Sequence, residues 1–509
     1  MKYKKPLDLL IKEAAETGHG SLRRTLGAGN LVALGIGAII GAGLFVRTAA
    51  AAADHAGPAV TLSFILAAVG CGLAGLCYAE FASMIPIAGS AYTYSYATMG
   101  EVIAWIIGWD LVLEYAVGAA TVSIAWSEYL NKLLGTFGTS IPYQFFHSPF
   151  QTSPDGIQGI INLPALFIVI VLSLILMRGT KESANVNGVI VILKVAIVIV
   201  FIVLGWSYMN PVNHTPYIPL NVGEQGLKNG VTSWGDFFTR DFGTFGLSGI
   251  VSGAGVVFFA FIGFDAVSTA AQEAKNPKKD MPIGILVSLV ICTVLYVLFS
   301  YVLTGVANYK EFAVAGKEAS VAYAIDTYMP GFHWLSILIT VAILAGFSSV
   351  ILVMLLGQSR VFFSMSRDGL IPKVFSEVHP KFQTPFKSNL IFIVFVGLFA
   401  AFIPGDVVGD MTSIGTLFAF VLVCIGVIVM RKTDPHTPRP FKTPWMPFLP
   451  ILGALACLLM MVGLGAHNWE RLVIWMAIGF VIYFTYSVKN SLIRKGRVSI
   501  PNDPPKPEL

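Results

Sequence analysis

Long apolar runs restrict the fold of this chain more than any other feature. Inside a bilayer every backbone N–H and C=O must find a partner within the protein, and runs of about 20 apolar residues satisfy this as helices. The sequence therefore predicts an all-α polytopic membrane protein with twelve transmembrane helices. The predicted spans are 30–53, 58–84, 99–130, 159–178, 186–208, 246–272, 282–306, 332–363, 387–403, 409–431, 447–467 and 471–489.

Composition and motifs argue against several other classes of protein. Apolar residues make up 55% of the chain and charged residues 12%, a balance typical of helical membrane proteins. All five cysteines fall within apolar runs and lack metal-ligand spacing, so we interpret them as small buried residues. The sequence contains no Walker A motif, no cofactor motif and no nucleophile–base arrangement. We therefore expect no enzyme, no cofactor, no metal site and no nucleic-acid partner.

The distribution of basic residues predicts the orientation in the membrane. Most of the 33 lysines and arginines lie in segments that are cytoplasmic if the N-terminus is. We expect a multi-pass protein of the plasma (inner) membrane with both termini in the cytoplasm. The predicted divisions are a cytoplasmic N-terminal segment 1–29, a first half 30–208, an extracellular loop 209–245, a second half 246–431, a cytoplasmic loop 432–446, two further helices 447–489 and a cytoplasmic C-tail 490–509.

Glycines interrupt two of the predicted spans near mid-depth. The first span contains four glycines within the stretch 35–45, and Gly-Ala-Gly at 41–43 leaves the backbone free to leave the helix. Close helix packing is the alternative interpretation. The sixth span contains Gly263 and Asp265, and a mid-span carboxylate costs about 2.5–3.5 kcal/mol unless it is paired or hydrated. We expect a break at 262–264, with Asp265 capping the half-helix that follows.

The two interrupted spans are five spans apart. An odd offset places them in opposite orientations in the membrane. Corresponding broken spans in two halves of a chain indicate an inverted-repeat transporter whose binding site lies at the bilayer midplane.

Four motifs of the sequence resemble those of a known family. GIGAIIGAGLF at 35–45 resembles the first helix of the amino acid–polyamine–organocation (APC) superfamily. Three more resemble its cationic amino acid transporter subfamily, and they read EFASMIPIAGSAYTYSY, FFAFIGFDAVSTAAQEAKNPKKDMPIGI and GQSRVFFSMSRDGLIP. The resemblance extends from about residue 21 to the last span. It implies the LeuT-like fold, a 5+5 inverted repeat plus two extra helices, and transport of amino acids, commonly coupled to protons in bacterial members.

Two broken helices would present complementary groups to an amino acid. The N–H groups that open a half-helix suit a carboxylate, and the carbonyls that end one suit an ammonium. The residues assigned to the substrate carboxylate are Gly41, Ala42 and Gly43. The carbonyls assigned to the substrate ammonium are those of Ile39, Ile40, Phe259, Ala260 and Ile262.

Side chains around this position bear on substrate choice. The resemblance implies that Phe259 forms an aromatic gate, with ordinary packing as the alternative. Glu114 either faces the cavity, paired with a cationic side chain, a water or a protonatable partner, or makes a structural hydrogen bond between helices. Gly118 and Ala119 would leave room for a substrate side chain. Glu114 favours arginine-like substrates and Phe347 favours small neutral ones such as alanine, so specificity stays open.

Lys194 lies within an apolar span that has no acidic residue. A charged lysine there is costly unless it finds partners. The resemblance implies that its ammonium occupies the place where sodium-coupled relatives hold a cation, touching carbonyls of the broken first helix and a hydroxyl of the eighth, either Ser348 or Ser349. Release and uptake of its proton would couple transport to a proton gradient. A permanently protonated clamp is the alternative.

These features predict a secondary active amino acid transporter. The leading hypothesis is proton-coupled symport of small neutral or cationic L-amino acids, or both, by alternating access. The alternatives are an exchanger without proton coupling and a non-transporting membrane sensor. The sequence leaves the oligomeric state and any small membrane subunit open.

Overall fold

The computed structural model describes residues 3–6, 10, 26–85, 90–178, 183–221, 244–271, 274–315, 320–380 and 384–496. Regular structure within these ranges is helical, with isolated bridges such as Leu26 to Ala274 but no named strand. The predicted segment 1–29, loop 209–245 and C-tail 490–509 lie mostly outside the described residues. Every predicted apolar run contains helix, which confirms the all-helical class.

Helix lengths separate the apolar helices into two groups. By length and composition, eight helices in the described part of the chain can cross a membrane. Four further apolar helices have only 10–17 residues. The protein is thus a multi-pass helical protein, and the count of twelve spans stays a prediction.

The helices of the first half follow the predicted runs closely, except that the short helix Ser90–Thr98 lies between two of them. In chain order they are α1 Ala28–Ile39; α2, made of the consecutive stretches Gly43–Arg47, Thr48–Ala51 and Ala52–Ala56; α3 Val60–Met84; α4 Ser90–Thr98; α5 Glu101–Thr136; α6 Leu163–Arg178; and α7 Ser183–Trp206. The first predicted span is therefore two helices, α1 and α2.

The second half and the C-terminal helices follow the same pattern. They are α8 Gly246–Val257, which continues as a 3₁₀ turn Phe258–Phe261; α9 Ala266–Thr269; α10 Pro277–Val306; α11 Tyr309–Ala315; α12 Ser320–Tyr328; α13 His333–Arg367; α14 Phe386–Phe402; α15 Gly405–Thr433; α16 Phe448–Gly463; and α17 Ala466–Asn490. The short helices α11 and α12 fall in the polar stretch between two predicted spans.

Two long helices organise the packing. Helix α10 contacts α1, α3 and α7, and α13 contacts α5, α6 and α7. Helices α16 and α17 pack on the outside of this arrangement, α16 against α3, α8 and α15, and α17 against α5 and α15. Outward faces carry exposed aliphatic side chains, such as Val189, Ile192 and Val203 of α7. Such a surface suits a hydrocarbon environment, where apolar exposure carries no cost.

Candidate functional site

The first predicted span breaks at the expected position. Helix α1 ends at Ile39, and Ile40 takes an extended conformation (φ −72°, ψ 104°). At the start of the next helix, the Leu44 N–H donates a hydrogen bond of 3.2 Å to the Gly41 carbonyl. The amides of residues 41–43 precede this bond, so they are the unpaired N–H groups that a helix start presents. The predicted break is confirmed.

The sixth predicted span breaks at 262–264, also as expected. After the 3₁₀ turn, Ile262 is extended (φ −59°, ψ 135°) and Gly263 has φ +110°. This left-handed region is open to glycine and strained for other residues. A Cβ at Gly263 would also lie 3.0 Å from the Cβ of Ala38, so the two broken helices approach each other here.

Asp265 does not cap the half-helix that follows, and that expectation is wrong. Its side chain makes no capping hydrogen bond, and its backbone is already helical (φ −71°, ψ −25°). A capping residue usually has an extended backbone that lets its side chain reach the first amides. The Asp265 carboxylate instead accepts a hydrogen bond of 2.6 Å from the Tyr115 hydroxyl of α5.

The two breaks meet at Gly43 and Ala260. A Cβ on Gly43 would lie 2.1 Å from the Ala260 Cα, so only glycine allows the backbones to approach this closely. The Tyr296 hydroxyl of α10 lies 2.8 Å from the Ile39 carbonyl and 2.9 Å from the Ala260 carbonyl, and it can donate to either. Tyr296 therefore ties both breaks to α10, a role with no signal in its own sequence neighbourhood.

Gly35 shows that the packing interpretation also holds for part of the glycine-rich stretch. A Cβ there would lie 2.5 Å from the Ser288 Oγ of α10. This glycine lies inside the regular helix α1, where it lets α10 approach. The stretch therefore combines a packing seam at its start with a broken helix at its end.

Lys194 joins α7 to the first break. Its side chain is buried, and its Nζ donates to the carbonyls of Gly37 at 2.8 Å and Ile40 at 2.9 Å. Gly346 of α13 packs against its aliphatic stem, where a Cβ would lie 2.9 Å from the lysine Cε. The predicted contact with carbonyls of the broken first helix is thus present in the structure.

The two serines predicted to assist Lys194 lie on α13. The Ser348 hydroxyl donates to the Leu344 carbonyl of its own helix at 2.9 Å. Ser349 is buried. A direct contact between Lys194 and either hydroxyl stays a prediction.

Glu114 lies in a widened turn of α5, Leu113–Val117, of the kind often found at functional sites. Its side chain is fully buried, and its carboxyl is a near neighbour of the Asp265 carboxylate. Two ionised carboxylates at this distance repel strongly, so a pair that holds one proton is favoured. A neighbouring carboxyl on another helix fits both a protonatable partner and a structural hydrogen bond between helices, so the role of Glu114 stays a prediction.

The remaining predicted residues are buried near the breaks. A Cβ at Gly118 would lie 3.2 Å from the Met354 Sδ, so Met354 occupies the space expected for a substrate side chain. Phe347 packs against Phe45 and Tyr129, with ring centroids 6.3 and 5.5 Å apart. The other members of this set are Ala42, Ala119, Phe259 and Ile262, all buried. No metal-binding cluster of histidine, cysteine or acidic side chains occurs among the described residues.

An ion pair that sequence reasoning missed joins α2 to α15. Arg47 of α2 pairs with Asp410 of α15, and Asn468 of α17 reaches the same carboxylate at 3.5 Å. We call Arg47 and Asp410 the outer closure, after the extracellular side on which the orientation predicted from the sequence would place them. The sequence signal for this pair was Arg47, one turn after the glycine-rich break, together with Asp410 in the tenth predicted span.

Comparison with known proteins identifies the family. The family model described as amino acid permease matches residues 26–485. The chain belongs to the amino acid permease family. Membership of the APC superfamily, expected from four motifs, is thereby confirmed, and the relatives of this permease are named as transporters and permeases.

Three relatives indicate the range of the family. The permease is 43% identical to the branched-chain amino acid permease BcaP of Bacillus subtilis (strain 168), over 97% of this chain and 98% of that one. It is 41% identical to the methylthioribose transporter of the same strain, over 97% and 99%. It is 34% identical to the vacuolar cationic amino acid transporter 4 of Arabidopsis thaliana, over 82% and 65%.

The outer closure offers a direct test of a conformational role in this permease. We expect Asp410→Asn to increase labelling of a cysteine introduced at Thr121, which lies beside the pair, by a membrane-impermeant maleimide. If the pair stabilises the closed conformation by about 1.4 kcal/mol, its loss raises the ratio of open to closed conformations roughly tenfold. The native cysteines in the described chain are buried, so background labelling is low.

Glu377→Gln is the matched control for that variant. It removes one carboxylate from an exposed pair with Lys387, and it should leave labelling at position 121 unchanged. Equal labelling in Asp410→Asn and the parent would show that Arg47 and Asp410 do not hold the outer side closed.

Proposed function

We propose that this permease is a secondary active transporter that carries an L-amino acid across the plasma membrane by alternating access, coupled to protons. The observation that carries the proposal is the meeting of two broken helices at Gly43 and Ala260, with the Lys194 ammonium on carbonyls of the first. This arrangement would provide an anion site, a cation site and a titratable group within one buried region.

The packing supports a LeuT-like inverted repeat of five plus five spans with two extra helices. Helix α1 packs on α10, and their counterparts five spans away, α8 and α3, also pack together. Two further contacts match in the same way. The contact between α5 and α15 corresponds to the contact between α13 and α7. The contact between α6 and α13 corresponds to the contact between α14 and α5. Helices α16 and α17 lie outside these matched pairs. Two halves with equivalent contacts are expected of such a repeat.

The substrate backbone would bind between the breaks. Its carboxylate would accept hydrogen bonds from the amides of residues 41–43, at the positive end of α2. Its ammonium would bind the carbonyls that end the other half-helices. Two of these already accept hydrogen bonds, namely Ile40 from Lys194 and either Ile39 or Ala260 from the Tyr296 hydroxyl, which has one proton to donate. A carbonyl oxygen has two lone pairs, so each retains capacity for the substrate.

A neutral aliphatic side chain is the first candidate for the substrate. The Tyr115 hydroxyl already donates to the Asp265 carboxylate, so this carboxylate has a hydrogen-bond partner without a cationic substrate. Met354 and Phe347 make the adjacent surface apolar. The relative at 43% identity is named as a branched-chain amino acid permease. An arginine-like substrate is the second candidate, since other relatives are named as cationic amino acid transporters.

Coupling to protons would act through Lys194. The charged ammonium makes two charge-assisted hydrogen bonds to the end of α1, and such bonds are about twice as strong as neutral ones. Loss of the proton would weaken this attachment and release the end of α1. Movement of the broken helix would thereby depend on the protonation of one side chain.

Alternating access needs a closure on each side of the site. Arg47 and Asp410 form one on the proposed extracellular side. On the proposed cytoplasmic side, the Lys5 ammonium lies 2.9 Å from Asp368, which also accepts a hydrogen bond of 2.7 Å from the Tyr92 hydroxyl. The N-terminal segment and the end of α13 are thus joined beneath the breaks. With both termini cytoplasmic, the two closures would open in turn.

Uptake into proteoliposomes tests the function. We expect leucine, isoleucine, valine or alanine to accumulate when an inward proton gradient is imposed, and arginine and methylthioribose to accumulate less. Glu114→Gln should retain neutral uptake, because an amide can replace the protonated carboxyl beside Asp265.

Each other outcome of this experiment identifies an alternative. Counterflow that is insensitive to a protonophore would indicate an exchanger. Absence of uptake for the whole panel would favour a sensor. Selective loss of arginine uptake in Glu114→Gln would indicate that Glu114 recognises a cationic substrate.

A further inference from the structure

A groove of about 620 Å³ opens at the start of α10, away from the two breaks. Its walls are the first turns of α10 and the loop that joins α15 to α16, represented by Pro440 and Phe441. In the proposed orientation this end of α10 lies at the cytoplasmic surface of the membrane. The groove is therefore placed where lipid headgroups meet the protein.

Two exposed lysines, Lys278 and Lys279, line the mouth of the groove. They lie in the first turn of α10, which begins at Pro277. Cations at a helix N-terminus are disfavoured by the helix dipole, so helix stability does not explain two of them there. An anion at this position would be attracted both by the lysines and by the dipole.

The other charges near the mouth leave a positive balance. Asp280 lies in the same turn, and its carboxylate accepts a hydrogen bond of 3.1 Å from the Asn276 amide at the helix start. Lys275 precedes the helix and Lys442 follows Phe441, and both are exposed. The mouth therefore favours an anionic ligand.

The floor of the groove is apolar and continues along the outer face of α10. Leu286 and Val287 line the groove itself. Val287, Val290 and Val294 are exposed, and their spacing of three and four residues places them on one side of the helix. A charged mouth that leads into a lipid-facing apolar stripe matches a molecule with a phosphate at one end and an acyl chain at the other.

The loop wall is held in place by α3. The Thr443 amide donates to the Glu80 carboxylate at 2.8 Å, and the Phe441 amide donates to the Ser83 Oγ at 3.3 Å. Arg431 makes a bidentate pair with Glu80 at 2.9 and 2.7 Å. Such a wall needs little ordering when a ligand binds, which lowers the cost of binding.

We propose that this groove binds an anionic phospholipid of the cytoplasmic leaflet, with the phosphate at Lys278 and Lys279 and an acyl chain along Val287 and Val290. The choice of leaflet rests on the proposed orientation, whereas binding itself does not depend on transport. Helix α10 also packs against α1, where a Cβ at Gly284 would lie 2.8 Å from the Leu31 Cβ. The lipid would thus lie on a helix that supports the broken first span.

Native mass spectrometry of the purified full-length permease tests this inference. We expect phosphatidylglycerol to remain bound and phosphatidylcholine to be lost, and the variant K278Q/K279Q to lower phosphatidylglycerol occupancy roughly tenfold or more. The matched control K132Q/K310Q removes two lysines at the opposite end of the helices and should bind like the parent. Thermal unfolding of both variants in detergent establishes that each is folded.

Two further arms separate the possible ligands. Glycerol 3-phosphate at millimolar concentration should not displace the lipid. Val287→Asn should reduce the occupancy of phosphatidylglycerol, because this substitution interrupts the apolar stripe. Equal phosphatidylglycerol binding by K278Q/K279Q and the control would overturn the proposal. So would displacement by glycerol 3-phosphate, which would indicate a site for a soluble phosphate.

Discussion

Lys194→Ala is expected to abolish accumulation of substrate in vesicles with an imposed pH gradient. The substitution removes the only side-chain donor found on the Gly37 and Ile40 carbonyls within the described chain. It also removes the titratable group through which a proton would control the end of α1. Initial uptake rates with the gradient on and off measure the effect, and the ratio of the two should fall to about one.

A loss of folding would give the same result, so stability and binding must be measured in parallel. Buried polar groups left without a partner cost about 1–3 kcal/mol each. Substrate-induced stabilisation of Lys194→Ala, followed by thermal unfolding, shows whether the site persists. Lys387→Ala, in an exposed ion pair, is the control and should leave both measurements unchanged. Gradient-driven accumulation that survives in Lys194→Ala would refute the coupling role.

Lys194→Arg distinguishes a proton carrier from a fixed clamp. Arginine keeps its charge at any physiological pH, so it can hold the carbonyls but cannot release a proton. A carrier mechanism predicts that this variant binds substrate without gradient-driven accumulation. A clamp predicts that accumulation is retained. Gly346 packs closely on the lysine stem, so the stability of the arginine variant is measured first.

Gly43→Ala is expected to eliminate substrate binding and transport. The added methyl group would lie 2.1 Å from the Ala260 Cα and 2.5 Å from its backbone nitrogen, and backbone atoms cannot move aside as a side-chain end can. The two half-helices would be forced apart, which disrupts both sets of backbone groups assigned to the substrate. Overpacking of this kind typically costs about 1–3 kcal/mol or more.

Gly29→Ala is the matched control because it makes the same change on α1, where a Cβ meets no atom within 4 Å. Binding measured by thermal stabilisation, together with uptake, should be unchanged in this variant. Alanine at this exposed helix position is expected to stabilise α1, since its helix propensity exceeds that of glycine by about 1 kcal/mol. Parental affinity in Gly43→Ala would show that the contact between the breaks is not required for the site.

Local features of the sequence were sufficient for the helices and their breaks. Hydropathy reports whether a segment prefers lipid, and each of the twelve runs that it predicted contains helix. Glycine at 41 and 43 and at 263 frees the backbone locally, so both interruptions were placed correctly. Asp265 was the exception, because the same carboxylate can cap its own helix or bind a partner on another one, and only distant residues decide between them.

Pairings between distant residues were beyond the reach of local patterns. Tyr296 joins two carbonyls on separate breaks, Tyr115 reaches Asp265, and Arg47 pairs with Asp410, all across more than a hundred residues of chain or between different spans. The sequence marks such groups only as polar residues in apolar surroundings that must find partners.

The sequence alone determined that this chain is a bundle of membrane helices with two interruptions and a buried lysine that needs a partner. The tertiary structure decided that the interruptions meet at Gly43 and Ala260, and that the lysine binds Gly37 and Ile40. The physical reason is the range of the forces involved. Backbone freedom and transfer into lipid depend on neighbouring residues, whereas hydrogen-bond partners depend on which helices pack together.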